Sequence, residues 1–82
     1  MNKVIVSQDS LKVHFMPTSS PCYFDVAPVA GEDGGTVTAY SVGVNNVSFG
    51  VFVKKQKAEE TLTALSNFLL DNSLRFRIPA DR

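Results

Sequence analysis

One segment of this chain has helical periodicity, and nearly every other apolar run alternates with period two. Lys57 to Asn72 (KAEETLTALSNFLLDN) is the only stretch that reads as a long amphipathic helix. Within it Ala58, Leu62, Leu65 and Leu69 recur at helical spacing, with Phe68 beside them. That stripe predicts a helix over roughly Lys57 to Asp71 that packs its Leu62, Leu65, Phe68 and Leu69 side on a sheet. Glu59 and Glu60 are placed in its first turn, where carboxylates interact favourably with the helix dipole. Asn72 is read as a left-handed cap.

The strands follow from alternation. Lys3 to Ser7 reads as a first strand, and Leu11, Val13 and Phe15 alternate with Lys12 and His14 as a second. Pro17 to Pro21 (PTSSP) interrupts the pattern, because both prolines fix φ and lack an N–H. Cys22 to Ala27 resumes it. Gly31 to Gly35 (GEDGG) is a loop, and Thr36 to Val44, rich in Thr, Val and Tyr, is a strand by composition. Asn45-Asn46 suits a two-residue hairpin turn because Asn tolerates positive φ. Val47 to Lys54 returns, with Val47, Phe49, Val51 and Val53 on one face and Ser48, Gly50 and Phe52 on the other. Leu74, Phe76 and Ile78 alternate with Arg75 and Arg77 as a last strand. The order is β-β-β-β-β-α-β, an α+β fold with a mainly antiparallel sheet and one amphipathic helix on one face. The 82 residues are read as a single domain, 1–82.

Composition narrows the function. Eight basic residues balance eight acidic ones, so no net charge draws the chain toward nucleic acid or an anionic membrane. Cys22 is the only cysteine, which excludes an intrachain disulfide scaffold. Val4-Ile5-Val6 is too short for a signal-peptide core, and no apolar run approaches the ~20 residues that span a bilayer. The expectation is a soluble protein of a reducing cytoplasm.

The chemistry-bearing residues are sparse. One His and one Cys fall short of a zinc ligand set. The Gly-rich loop lacks the Lys of a phosphate cradle, carries Glu32 and Asp33, and leads into a strand where a P-loop leads into a helix. His14 is the only imidazole, and no nucleophile elbow accompanies it. The chain is therefore read as non-enzymatic, with no cofactor and no metal.

Binding is the remaining reading. One helix covers one face of a sheet, and the Thr36–Lys54 hairpin has apolar residues on both. The face opposite the helix is expected to hold Tyr40 and Phe52 near its centre, Tyr23 beside them, and Arg75 and Arg77 as a polar rim. Tyr, Phe and Arg are the residue types enriched where proteins bind each other. The expected partner is another protein or a second copy in a homodimer. Small, neutral chains without a catalytic set commonly serve as accessory or inhibitory proteins, those of phages among them. The alternative is single-stranded nucleic acid, stacked on the aromatic residues and held by the arginines.

Overall fold

The computed structural model describes residues 3–16 and 23–81. The Pro17–Pro21 breaker and Cys22 lie outside them. The elements are β1 (Lys3–Val6), β2 (Val13–Met16), β3 (Phe24–Ala30), β4 (Val37–Val44), β5 (Val47–Phe52), α1 (Lys55–Leu70) and β6 (Arg75–Arg77). Their order is the predicted one, and the fold is α+β with mainly antiparallel strands. The strands form two three-stranded sheets, however, ordered β2-β1-β6 and β3-β4-β5. In the first, β2 runs antiparallel to β1 and β6 runs parallel to it. The second is an antiparallel meander on which the helix packs.

The β4–β5 hairpin closes at Asn45-Asn46, whose φ angles are 50° and 68°. Both central residues take the positive φ that a tight hairpin turn requires. Beyond the turn the ladder slips. Val42 pairs with Gly50, but Gly43 pairs with Ser48, so Phe49 is an extra residue in β5. This bulge overturns the strict alternation read from the sequence. Phe49 joins the side of the sheet that bears Phe52, while Val47, Val51 and Val53 are exposed.

The register of β3 decides which face is buried. Phe24, Val26 and Pro28 lie opposite Val44, Val42 and Tyr40 on one face. The other face receives Asp25 and Ala27, opposite Gly43 and Ser41. The first set carries far more apolar area, and covering it removes more of that area from water. The helix therefore lies on the Tyr40/Phe52 face, the reverse of the expectation. Phe52 is only 2% exposed and sits in the core with Ile5, Val42, Val44, Phe49, Ala58, Leu65, Phe68 and Ile78.

The helix faces the core with Ala58, Thr61, Leu65 and Phe68, while Leu62 is half-buried and Leu69 exposed. The buried Thr61 hydroxyl donates to the Lys57 carbonyl at 2.9 Å, so it is satisfied within the helix. Because the helix starts at Lys55, Glu59 and Glu60 fall beyond its first turn. The C-terminal cap residue is Asp71 in an extended conformation, in place of a left-handed Asn72. The Lys3 ammonium closes that end, donating to the carbonyls of Phe68 and Asp71 at 2.8 Å each and to that of Ser73.

The two sheets meet through β1, the segment after it, and the end of the chain's last strand. Phe76 lies 5.6 Å from Phe68, ring centre to ring centre. The Gln8 N–H donates to the Phe49 carbonyl at 2.7 Å. The Gln8 side chain accepts from the Val51 N–H at 3.1 Å and donates to the Val51 and Pro79 carbonyls at 3.2 and 3.0 Å. Gly50 permits this approach: a Cβ there would stand 2.6 Å from Ile78 Cγ2 and 3.3 Å from Gln8 Cβ.

Candidate protein-binding surface

The outward face of the β2-β1-β6 sheet is built by register. Phe15 lies opposite Val4, and Val4 opposite Arg75. Val13 lies opposite Val6, and Val6 opposite Arg77. Residues paired across neighbouring strands point to the same side, so these six side chains share one face. Ile5, paired with His14 and Phe76, points the other way into the core.

Burial on the outward face is uneven. Val6 is buried and Val4 half-buried, while Phe15 is 65% exposed and Val13 50%. Arg75 and Arg77 are exposed, and neither guanidinium has a hydrogen bond or ion pair to another described residue. Leu11, just before β2, and Leu74, just before β6, are also exposed. An exposed aromatic ring, two aliphatic neighbours and two exposed guanidinium groups thus occupy one side of a three-stranded sheet.

Of the five residues expected to bind a partner, only Arg75 and Arg77 lie on this surface. Phe52 is corrected to the core. Tyr40, directly opposite it on β4, is half-buried against the same core. Tyr23 is 58% exposed but stands before β3, where its N–H donates to Asn45 Oδ1 at 2.8 Å and its carbonyl accepts from the Asn45 N–H at 2.7 Å. The five residues do not form one surface. In β2, Val13 and Phe15 face outward and His14 is the residue on the inner side, with Nε2 at 3.3 Å from Asn45 Nδ2.

The loops are tied by carboxylates. Asp33 accepts from the N–H groups of Thr36 and Gly35 and from the Thr36 hydroxyl. Those donors hold it below the ordinary carboxylate value, the Thr36 N–H foremost. Asp9 is lowered likewise, first by the Ser7 hydroxyl and then by the Leu11 N–H. Both carboxylates therefore serve turn geometry. Among the described residues no group of three or more His, Cys, Asp or Glu could hold a metal ion.

An open, mostly apolar cleft of about 300 Å³ lies beside the helix, over Phe52, Ala64, Phe76 and Pro79. Among the described residues no helix is long and apolar enough to cross a membrane. Compared with protein-family profiles, curated protein sequences and solved structures, the chain matches none.

Proposed function

We propose that this chain is a small non-enzymatic interaction module, accessory or inhibitory in role, that binds another protein on the outward face of its β2-β1-β6 sheet. The observation that carries this reading is the exposure of Phe15 and Val13 in one register with Val4, Arg75 and Arg77. Exposed apolar groups clustered with polar ones at their margin mark binding surfaces. An aromatic ring and arginines are the residue types that most often dominate binding energy. The zero formal charge supports a contact led by shape and apolar area over one led by long-range attraction.

The second reading, single-stranded nucleic acid, draws on the same Phe15, Arg75 and Arg77. It is the weaker one, because sheet platforms for RNA stack two or three bases on several aromatic residues. Among the described residues this face offers one ring, that of Phe15.

The test is capture of partners from the native host with the wild-type chain and with Phe15→Ser/Val13→Ser, read by mass spectrometry. In parallel, fluorescence anisotropy measures binding to labelled single-stranded oligonucleotides across a salt series. A protein captured by the wild type and lost with the folded double variant supports the proposal. Tight, salt-sensitive oligonucleotide binding replaces it with the second reading. A protein partner held equally by both chains places the contact elsewhere.

A further inference from the structure

We propose that two copies of this chain pair through the outer edge of β2, joining their β2-β1-β6 sheets into one six-stranded sheet. The inference comes from comparing the four sheet edges. Exposed strand edges template pairing with other chains, and proteins usually guard them with charge, proline, irregularity or cover. The β3 edge carries Pro28 and a register break at Val29/Ala30. The β5 edge is covered: Gln8 bonds to Phe49 and Val51, and Asp81 accepts from the Val53 N–H at 3.0 Å. The β6 edge is three residues long, and two of them are arginines.

Among the described residues β2 carries none of these guards along its length, and Pro17 follows only after its last residue. Val13–Met16 (VHFM) contains no charged side chain and no proline, and its register with β1 is unbroken. Lys12 stands at its start, but its ammonium is drawn away to the Ser48 carbonyl at 2.9 Å.

The direction of the free groups follows from one hydrogen bond. The Ser7 N–H donates to the Lys12 carbonyl at 2.9 Å. In an antiparallel ladder, hydrogen-bonded pairs alternate with non-bonded ones. Counting along the register, Ile5/His14 is then a bonded pair, while Val4/Phe15 and Val6/Val13 are not. On the other side of β1, the Val4 N–H donates to Leu74 and the Val6 carbonyl accepts from Ile78, as this alternation requires. The N–H and C=O groups of Val13 and Phe15 therefore point outward from the sheet. No described residue bonds them.

That edge is complementary to itself. An antiparallel pairing about a twofold axis at His14 sets Val13 against the partner's Phe15, and Phe15 against the partner's Val13. Each of these two pairs exchanges both of its N–H···O=C bonds. The same pairing places a β-branched residue beside an aromatic ring on the outward face, a favourable cross-strand combination. Arg75 and Arg77 lie on β6, two strands from the seam, so like charges are not brought together. The zero formal charge removes long-range repulsion between copies.

A four-residue edge is far smaller than the ~1,600 Å² of a standard stable interface. The pairing is accordingly weak and concentration-dependent. It uses the strand edge, whereas the partner-binding reading uses the sheet face, and the two fail separately.

The test is sedimentation equilibrium of the full chain from micromolar to millimolar concentration, with amide exchange followed over the same range. The mass should rise from 8.9 kDa toward twice that value. The Val13 and Phe15 amides should gain protection with concentration, and the His14 amide, already bonded to β1, should not. Phe15→Pro removes an outward N–H and should abolish the association. Val13→Lys keeps every backbone group, guards the edge with charge, and should abolish it too if the proline variant fails to fold. A chain that stays monomeric at millimolar concentration overturns the proposal. So does a dimer that leaves the Val13 and Phe15 amides unprotected, or one that tolerates Val13→Lys. Protection of those two amides only on adding an extended apolar peptide also overturns self-pairing, and assigns the edge to a foreign strand.

Discussion

The Lys3 ammonium lies 4.5 Å from the centre of the Phe68 ring and donates to the carbonyl of that same residue at 2.8 Å. A residue of the first strand thereby closes the C-terminus of the helix, where unsatisfied carbonyls and the negative end of the dipole favour a cation. The ion pair with Asp71, at 3.7 Å and with the carboxylate half exposed, adds little. Lys3→Met keeps the aliphatic stem and removes three donated bonds. It should cost about 1–3 kcal/mol of stability in chemical denaturation, and amide exchange should show fraying confined to the last helical turn.

Leu65 is fully buried on the helix face that meets the β3-β4-β5 sheet. Leu65→Ala should destabilise the chain by about 2–5 kcal/mol, the range for a buried large-to-small change. Leu69, one turn on, is exposed, and Leu69→Ala should stay within about 0.5 kcal/mol of wild type. Denaturant midpoints of the two variants, at equal slope, check the rotation of the helix about its axis.

Gln8 holds the two sheets together by treating Val51 as a neighbouring strand would. Gln8→Ala leaves the Val51 N–H and carbonyl to water and frees one edge of β5. The expected cost is about 1–3 kcal/mol, summed over three modest side-chain bonds. The sharper readout is local: the Val51 amide should exchange faster in the variant, while the Val42 region of the central strand keeps its protection.

The element order was legible because each strand and the helix carry their own period, and Asn45-Asn46 marked its turn unaided. Which face the helix covers was not legible. That choice depends on the β3–β4 register, which sets Val26 against Val42 and Asp25 against Gly43. It also depends on the extra residue at Phe49, which no alternation count reveals. The outward place of Phe15 was not legible for a related reason. An alternating strand shows two faces, but only its pairing says which is inside, and Ile5 opposite His14 puts the imidazole inward. Arg75 and Arg77 kept their outward place because β6 has polar residues on one face alone.

Asp33 should report on acid loosening of the Gly31–Thr36 loop. Its folded value lies below the ordinary carboxylate value because the Thr36 and Gly35 N–H groups and the Thr36 hydroxyl favour the charged form. A carboxylate depressed in the folded state contributes stability that is present above the unfolded value and lost as pH falls through the folded one. The loop should therefore hold at pH 5 and loosen only below the ordinary carboxylate range. Carbon-detected NMR titration of Asp33 should place its midpoint below that of an unperturbed aspartate. Asp33→Asn should abolish the acid transition in the Gly35 and Thr36 amide shifts.

Phe52 and Phe15 separate stability from binding. Phe52 is 2% exposed, opposite Tyr40 beneath the helix, whereas Phe15 stands on the outward face opposite Val4. Phe52→Ala should cost about 3–5 kcal/mol through lost burial and the cavity left behind. Phe15→Ser should change stability by no more than about 0.5 kcal/mol, since its ring is already largely in water. If Phe15 anchors the proposed contact, the same substitution should weaken partner binding by about 2 kcal/mol or more, a loss near thirtyfold in Kd. Arg75→Glu should weaken binding further without unfolding the chain. Calorimetry of the purified variants against the captured partner checks both numbers. Undiminished binding with Phe15→Ser would remove the sheet face from the mechanism and leave the fold assignment standing.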